Sequence, residues 1–159
     1  MRISARPAET SDLATLEGLY RQLEAEMTDL HPMWPLADGL AEPVSDSFRQ
    51  ALDDESTVVV IGEIDDYPFG FLVARVEGLL PQAGGEKICS IRLVFVELEA
   101  REVSLGEVMR EYVLEQMRGQ GITKFDAHVL PGHRLVKNFF EAGGFSARSI
   151  VMHHDDNRE

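Results

Sequence analysis

The chain of 159 residues is 44% hydrophobic and carries a formal net charge of −13. This length and apolar content predict one globular domain with a core of its own. No stripe rich in Lys and Arg is visible, which argues against a nucleic-acid partner. No run approaches the roughly 20 apolar residues that span a bilayer, so we expect no membrane partner either.

The N-terminus and the cysteine usage favour a cytoplasmic protein. Residues 1–7 lack the apolar stretch of a secretory signal and are typical of a first strand instead. Cys89 is the only cysteine, which excludes an internal disulfide and agrees with a reducing compartment. Because Cys89 lies within a strand pattern, we predict that it is a small buried hydrophobe.

Hydrophobic periodicity predicts strands and helices along the whole chain. The elements of the first half are a strand at 3–5, a helix at 13–27, a Pro-containing linker at 28–44, a short helix at 45–52, and strands at 57–64 and 69–77. Those of the second half are a flexible segment at 78–87, a strand at 88–98, a helix at 105–117, a strand at 122–130, a helix at 135–142 and a strand at 145–154. This order indicates a mixed α/β sheet with helices on both faces.

The junction at residues 96–106 is the most informative pattern. An apolar strand leads into a short loop, and an amphipathic helix begins at once. Proteins use such a junction to present free backbone N–H groups to a phosphate. The spacing of Val96, Arg101 and Gly106 resembles the acyl-CoA pyrophosphate loop of the GNAT acyltransferase superfamily, Val-x5-(Arg/Gln)-x-x-Gly-x-(Gly/Ala). Ser104 stands where the first Gly is usual.

A second stretch, residues 129–145, is similar to the GNAT motif in which Asn-x-x-Ala-x-x-x-Tyr and Gly-Phe follow a strand. The matching positions are, in order, His133, Val136, Phe140 and Gly144-Phe145. The resemblance implies a mixed, mostly antiparallel central sheet of six to seven strands, flanked by helices on both faces. It would fill one domain at residues 1–154, followed by an acidic tail at 155–159.

The GNAT resemblance also implies an activity and a co-substrate. It implies an N-acyltransferase that moves an acetyl group from acetyl-CoA to a primary amine of a small molecule or protein. Backbone groups would line a V-shaped gap where the fifth strand diverges from the fourth. The residues implied to bind the co-substrate are Phe95, Val96, Arg101, Glu102, Val103, Ser104, Leu105, Gly106, Glu107, His133 and Phe140.

The positions that carry catalysis in GNAT proteins have diverged in this chain. Phe140 stands at the Tyr that often protonates the leaving thiolate, and Phe cannot donate a proton. The carboxylate base often found on the fourth strand has no counterpart among Ser90, Arg92 and Val94. The catalytic residues therefore stay unknown at this stage.

Two histidines near the second motif, His128 and His133, could titrate near neutral pH. His133 is the one catalytic candidate, since it replaces the Asn on the co-substrate side. A His after Pro-Gly at a helix start is, however, more often a cap or a surface residue. We expect no metal site, because the adjacent His153 and His154 would point to opposite faces of a strand.

The acidic character of the loop supports an alternative function. Four Glu residues, at positions 97, 99, 102 and 107, surround Arg101 and oppose the attraction of the helix N-terminus for an anion. An ordinary acidic helix start would look the same. The alternative hypothesis is a GNAT-fold protein without turnover that senses CoA or binds a partner.

An amine acceptor would bind near the predicted linker. His31, Trp34 and Asp38 fall where GNAT proteins build the acceptor pocket, although Trp34 could equally be a packing anchor. The charge of −13, with acidic residues in and beside the linker, favours a cationic acceptor through electrostatic steering. Solubility alone would explain that charge equally well. We expect a monomer or a homodimer.

Overall fold

The computed structural model describes residues 1–30 and 32–157, in which five strands form one sheet in the order β1-β2-β3-β4-β5. The strands are β1 Ile3–Pro7, β2 Thr57–Ile64, β3 Tyr67–Gly78, β4 Lys87–Val96 and β5 Phe125–Ala127. The helices are α1 Leu13–Leu30, α2 Trp34–Ala37, α3 Val44–Asp53, α4 Leu105–Arg118 and α5 Arg134–Ala142. The predicted linker thus contains the short helix α2.

The sheet is mixed and mostly antiparallel, as predicted. Strands β1 to β4 pair antiparallel with their neighbours, whereas β4 and β5 pair in parallel. Helices α1 and α3 pack on one face of the sheet, and α4 and α5 pack on the other. These two apolar layers confirm an α/β fold with helices on both faces.

The prediction of six to seven strands is wrong for the described part of the chain, which has five. The strand predicted at 145–154 does not form, and the one predicted at 122–130 shortens to three residues. Ile150, Val151 and Met152 are 76% to 88% exposed, so this segment buries no apolar face against the sheet. Arg148 connects it to Asp126 of β5 by an ion pair, which does not order a strand.

Within the ladder of β3 and β4, the β4 strand carries one extra residue. Val73 pairs with Leu93, but the next residue of β3, Ala74, pairs with Ile91, so Arg92 has no partner across the ladder. This is a β-bulge, which bends a strand and increases its twist. The bulge therefore lies at the middle of the strand that leads to the predicted phosphate loop.

The bulge changes the face to which the side chains of β4 point. Before it, Cys89 and Ile91 lie in the core with α4, and after it, Leu93 and Phe95 lie in the core with α1. Cys89 is fully buried, as predicted, and burial raises the pKa of its thiol to about 11. A thiol with so high a pKa is a poor nucleophile, so Cys89 serves packing.

Two opposed glycines bring α4 close to the sheet. Gly62 of β2 pairs with Gly70 of β3, and a Cβ on Gly62 would lie 2.7 Å from the Met109 sulfur of α4. A Cβ on Gly70 would lie 2.7 Å from the carbonyl oxygen of Phe95. The absence of both side chains lets Met109 rest on the sheet and fixes the height of α4 above the end of β4.

We predict that Gly70→Ala destabilises the protein by about 1–3 kcal/mol, because its new methyl group meets rigid backbone. Gly78→Ala is the matched control on the same strand, since a Cβ there would have no neighbour within 4 Å. It should change the free energy of unfolding by less than about 0.5 kcal/mol. Urea denaturation measures both, and equal effects of the two substitutions would contradict this account.

Candidate functional site

Strands β4 and β5 diverge soon after they meet. Their last ladder pair is Ile91 with Ala127, and the His128 N–H then donates to the Ile91 carbonyl at 3.0 Å. Beyond that point β4 continues to Val96, paired with β3 alone among the described strands. A gap therefore opens between the two strands, and the bulge stands at its closed end.

The loop after β4 forms a short 3-10 turn and passes directly into α4. Ser104 precedes the first residue of the helix and has a φ of +64°, a left-handed conformation that favours glycine. This conformation gives a physical reason for the Gly that the GNAT motif has at that position. Glu102, Ser104 and Glu107 are exposed, so the start of α4 is open to solvent.

Arg101 is held by groups of the protein itself. Its Nε donates to the Val96 carbonyl at 2.9 Å, and a terminal nitrogen pairs with the Glu26 carboxylate of α1. The guanidinium also lies over the Phe95 ring, 5.5 Å from its centre. Arg101 thus connects the end of β4 to α1, and a phosphate would compete with Glu26 for its guanidinium.

Gly106 has a packing role. A Cβ at this position would lie 3.2 Å from the Phe139 ring of α5. Arg110 secures the same contact, because it is buried, donates to the Phe139 carbonyl at 2.7 Å and stacks on that ring at 4.5 Å. The contact sets the distance between the start of α4 and α5.

The side chains of Leu105 and Phe140 lie in the core. Leu105, the first residue of α4, is fully buried, and Phe140 is 3% exposed. The Phe140 ring packs edge-on against Phe139 and Phe145, with ring centres 5.0 and 5.2 Å apart. Of the residues predicted to bind the co-substrate, these two could therefore contribute backbone groups more readily than side chains.

His133 lies just before α5, at the N-cap position, and is half-buried. It lines a small pocket of about 60 Å³ beside the end of α1. Burial lowers the pKa of its imidazole; the Glu26 charge raises that pKa and the Arg101 charge lowers it. His133 is therefore mainly neutral near pH 7, which makes it a poor proton donor.

A cleft of about 930 Å³ lies on the face of the sheet that α1 covers, between α1, the segment around α2, and strands β3 and β4. Trp34 is 7% exposed and joins the core with α1, so it is both an anchor and part of the cleft wall. The charged residues that line the cleft are three cations and three anions: Arg21, Arg75, Arg92, Glu24, Asp29 and Asp38. Their formal charges cancel, so the cleft does not concentrate the acidity of the whole chain. His31, also predicted for this region, lies outside the described residues.

A polar network connects the cleft to the gap between β4 and β5. Arg92 donates to the Glu77 carboxylate at 2.7 Å and to Asp38 Oδ1 at 3.3 Å. The other oxygen of Asp38 is 3.1 Å from His128 Nδ1. Periodicity could not reveal this contact between residues 90 positions apart; the only sequence signal was that His128 could titrate.

The described residues carry no metal centre and no membrane-spanning helix that can be recognised. No group of three or more His, Cys, Asp or Glu side chains within them is arranged to hold a metal ion. None of the helices in the described ranges is long and apolar enough to cross a bilayer.

No family model matches the chain, and no curated protein sequence matches it significantly. Solved structures do match. AAC(6')-Iy, solved with the bisubstrate analogue CoA-S-monomethyl-acetylneamine, superposes with a TM-score of 0.77 at 15% identity, over 99% of this chain and all of the other. The aminoglycoside 6'-N-acetyltransferase AAC(6')-Ih from Acinetobacter baumannii gives 0.75 at 16%, over 99% and 100%.

A transcriptional regulator from Bacillus halodurans C-125 is equally similar, with a TM-score of 0.77 at 17% identity, over 96% of this chain and all of the other. Proteins described as 6'-N-acetyltransferase and as transcriptional regulator thus share one fold. Sequence identities this low establish the fold alone. The agreement over whole chains confirms the fold that the two sequence motifs implied. This protein has the GNAT fold.

Proposed function

We propose that this protein is an N-acyltransferase that moves an acetyl group from acetyl-CoA to a primary amine. The observation that carries the proposal is the gap between β4 and β5, which opens beside a cleft of about 930 Å³. A gap next to a cleft offers separate places for a donor and an acceptor. The complex of AAC(6')-Iy with a CoA-containing bisubstrate analogue, on the same fold, supports this assignment.

The donor would lie along the end of β4 and the start of α4. Backbone groups of Phe95 and Val96 would face the thioester arm, and the N–H groups of residues 101–107 would face the pyrophosphate. Ser104 is exposed at the helix start, and Gly106 lets Phe139 pack closely behind it. Of the two side chains from the second motif, His133 would lie nearer the donor than Phe140, which is buried.

The acceptor would enter the cleft as an amine. The charge of −13 favours a cationic amine during approach, because the field of the whole chain acts over distance. The balanced charges of the cleft lining would add little to this preference once the acceptor is bound. Preference for a cation should therefore appear mainly in the association rate and fall with salt.

A second candidate function is a GNAT-fold protein that senses CoA or binds a partner without turnover. Arg101 favours this candidate, because its guanidinium is already paired with Glu26 and the Val96 carbonyl. Phe140 favours it too, since this position cannot supply a proton to a leaving thiolate.

The first test of the proposal is an assay of thiol release from acetyl-CoA with a panel of primary amines. We expect turnover with at least one amine and, at low ionic strength, a higher kcat/KM for cationic than for anionic amines. N-acetylated forms of the same amines are the controls. Binding of acetyl-CoA without transfer to any amine would support the second candidate instead, and absence of binding would reject the proposal together with the CoA-sensing form of the second candidate.

A second prediction concerns the pair of Glu26 and Arg101. Glu26→Gln should raise the affinity for CoA about two- to fivefold, because partly exposed ion pairs contribute about 0.5–1 kcal/mol and Glu26 competes with the pyrophosphate for Arg101. Glu24→Gln is the matched control, since Glu24 lies on the same helix but pairs with Arg21. Calorimetric titration with CoA measures the affinities. Equal affinities for wild type and Glu26→Gln would show that Arg101 does not hold the pyrophosphate.

A further inference from the structure

The network around Asp38 lies where the cleft meets the divergence of β4 and β5. Asp38 lines the cleft, and its side chain is 12% exposed. His128 follows the last paired residue of β5 and its side chain is 42% exposed. The imidazole is thus open to solvent at the boundary between the acceptor cleft and the gap.

The segment that carries Asp38 is fixed by a buried tyrosine. The Tyr20 hydroxyl accepts a hydrogen bond from the Leu40 N–H at 2.9 Å, and Tyr20 itself is 2% exposed. Gly39 has a φ of +151°, and a Cβ there would lie 3.2 Å from the same hydroxyl. Packing thus holds Asp38 at its place, rather than its own hydrogen bonds alone.

The contact with Asp38 determines which nitrogen of His128 can accept a proton. A carboxylate accepts hydrogen bonds, so His128 Nδ1 carries the hydrogen and Nε2 has a free lone pair. Arg92 donates a charge-assisted hydrogen bond to the other oxygen of Asp38. An imidazole backed by an ionised carboxylate is a proton acceptor of fixed orientation.

We infer that His128 is the general base of acetyl transfer and that Asp38 is its positioning residue. This inference rests on the proposed function and names the group that the sequence left unknown. It assigns His133 no role as base, because His133 lines a separate small pocket beside the end of α1 and does not line the cleft.

The proposed step balances as follows. A primary ammonium gives one proton to His128 Nε2, and the neutral amine forms an N–C bond to the thioester carbonyl carbon. The C–S bond breaks, and the second proton of the nitrogen goes to the departing thiolate. The imidazolium of His128 then returns its proton to water, and its positive charge is stabilised by Asp38 while it lasts.

Charged groups lie near His128 on several elements. Asp38 contacts it from the segment after α2, and Arg92 and Glu77 follow behind Asp38 on β4 and β3. On β5 itself, Asp126 is paired with Arg148. Asp38 and Asp126 thus each have a cationic partner, and Asp38 is the one of the two that contacts the imidazole.

The test is the pH profile of kcat/KM for wild type and His128→Gln, with the amine that the wild type accepts best. His128→Gln keeps a donor for Asp38 but cannot take a proton. We expect kcat/KM to fall about 10²–10⁴-fold, and the acid limb of the profile to disappear. Asp38→Asn should lower kcat/KM less and move that limb. Neither variant should change the affinity for CoA.

His154→Gln is the matched control, because His154 also contacts an aspartate, Asp156, but in the exposed C-terminal segment. It should leave both the rate and the profile unchanged. An active wild type with unchanged rate and acid limb in His128→Gln would overturn the inference and leave the proposed function standing. A wild type that binds CoA but transfers to no amine would overturn both.

Discussion

The bulge at Arg92 is the constraint on which the rest of the site depends. One extra residue in β4 shifts the alternation of its side chains, so that Leu93 and Phe95 face α1 whereas Cys89 and Ile91 face α4. Beyond the bulge, β4 also loses β5 as a neighbour. A strand that kept its pairing would leave no gap beside the cleft. The same residue carries the guanidinium that holds Asp38 and Glu77, so one position both opens the gap and organises the polar groups at its edge.

Close packing, rather than charge, positions the elements around that gap. Gly62 and Gly70 let Met109 of α4 rest on the sheet, and Gly106 lets Phe139 of α5 rest on α4. Gly106, which corresponds to a glycine of the GNAT phosphate loop, is therefore also needed for helix packing here. Because Gly106 is needed for packing, the motif spacing can be present even though Arg101 is paired with Glu26 and the Val96 carbonyl. The motifs consequently report the fold more directly than they report turnover.

Much of this fold could be predicted from the sequence, because apolar periodicity reflects local burial. The prediction of a strand at 145–154 is wrong, because its apolar residues are typical of a strand but pack against no sheet edge. The bulge at Arg92 gave no signal, since apolar residues flank it on both sides. The contact of Asp38 with His128 depends on how α2 and β5 approach in space, and spacing along the chain carries no information about that.

The central claim is that the gap between β4 and β5 receives the CoA thioester arm. Titration of isotope-labelled wild type with CoA, followed by amide chemical shifts in NMR, tests it most directly. The account predicts that the largest shifts occur at residues 93–96 and 101–107, while amides of β1 and β2 stay unchanged. Shifts confined to the exposed segment after α5, or the absence of any shift at saturating CoA, would contradict it.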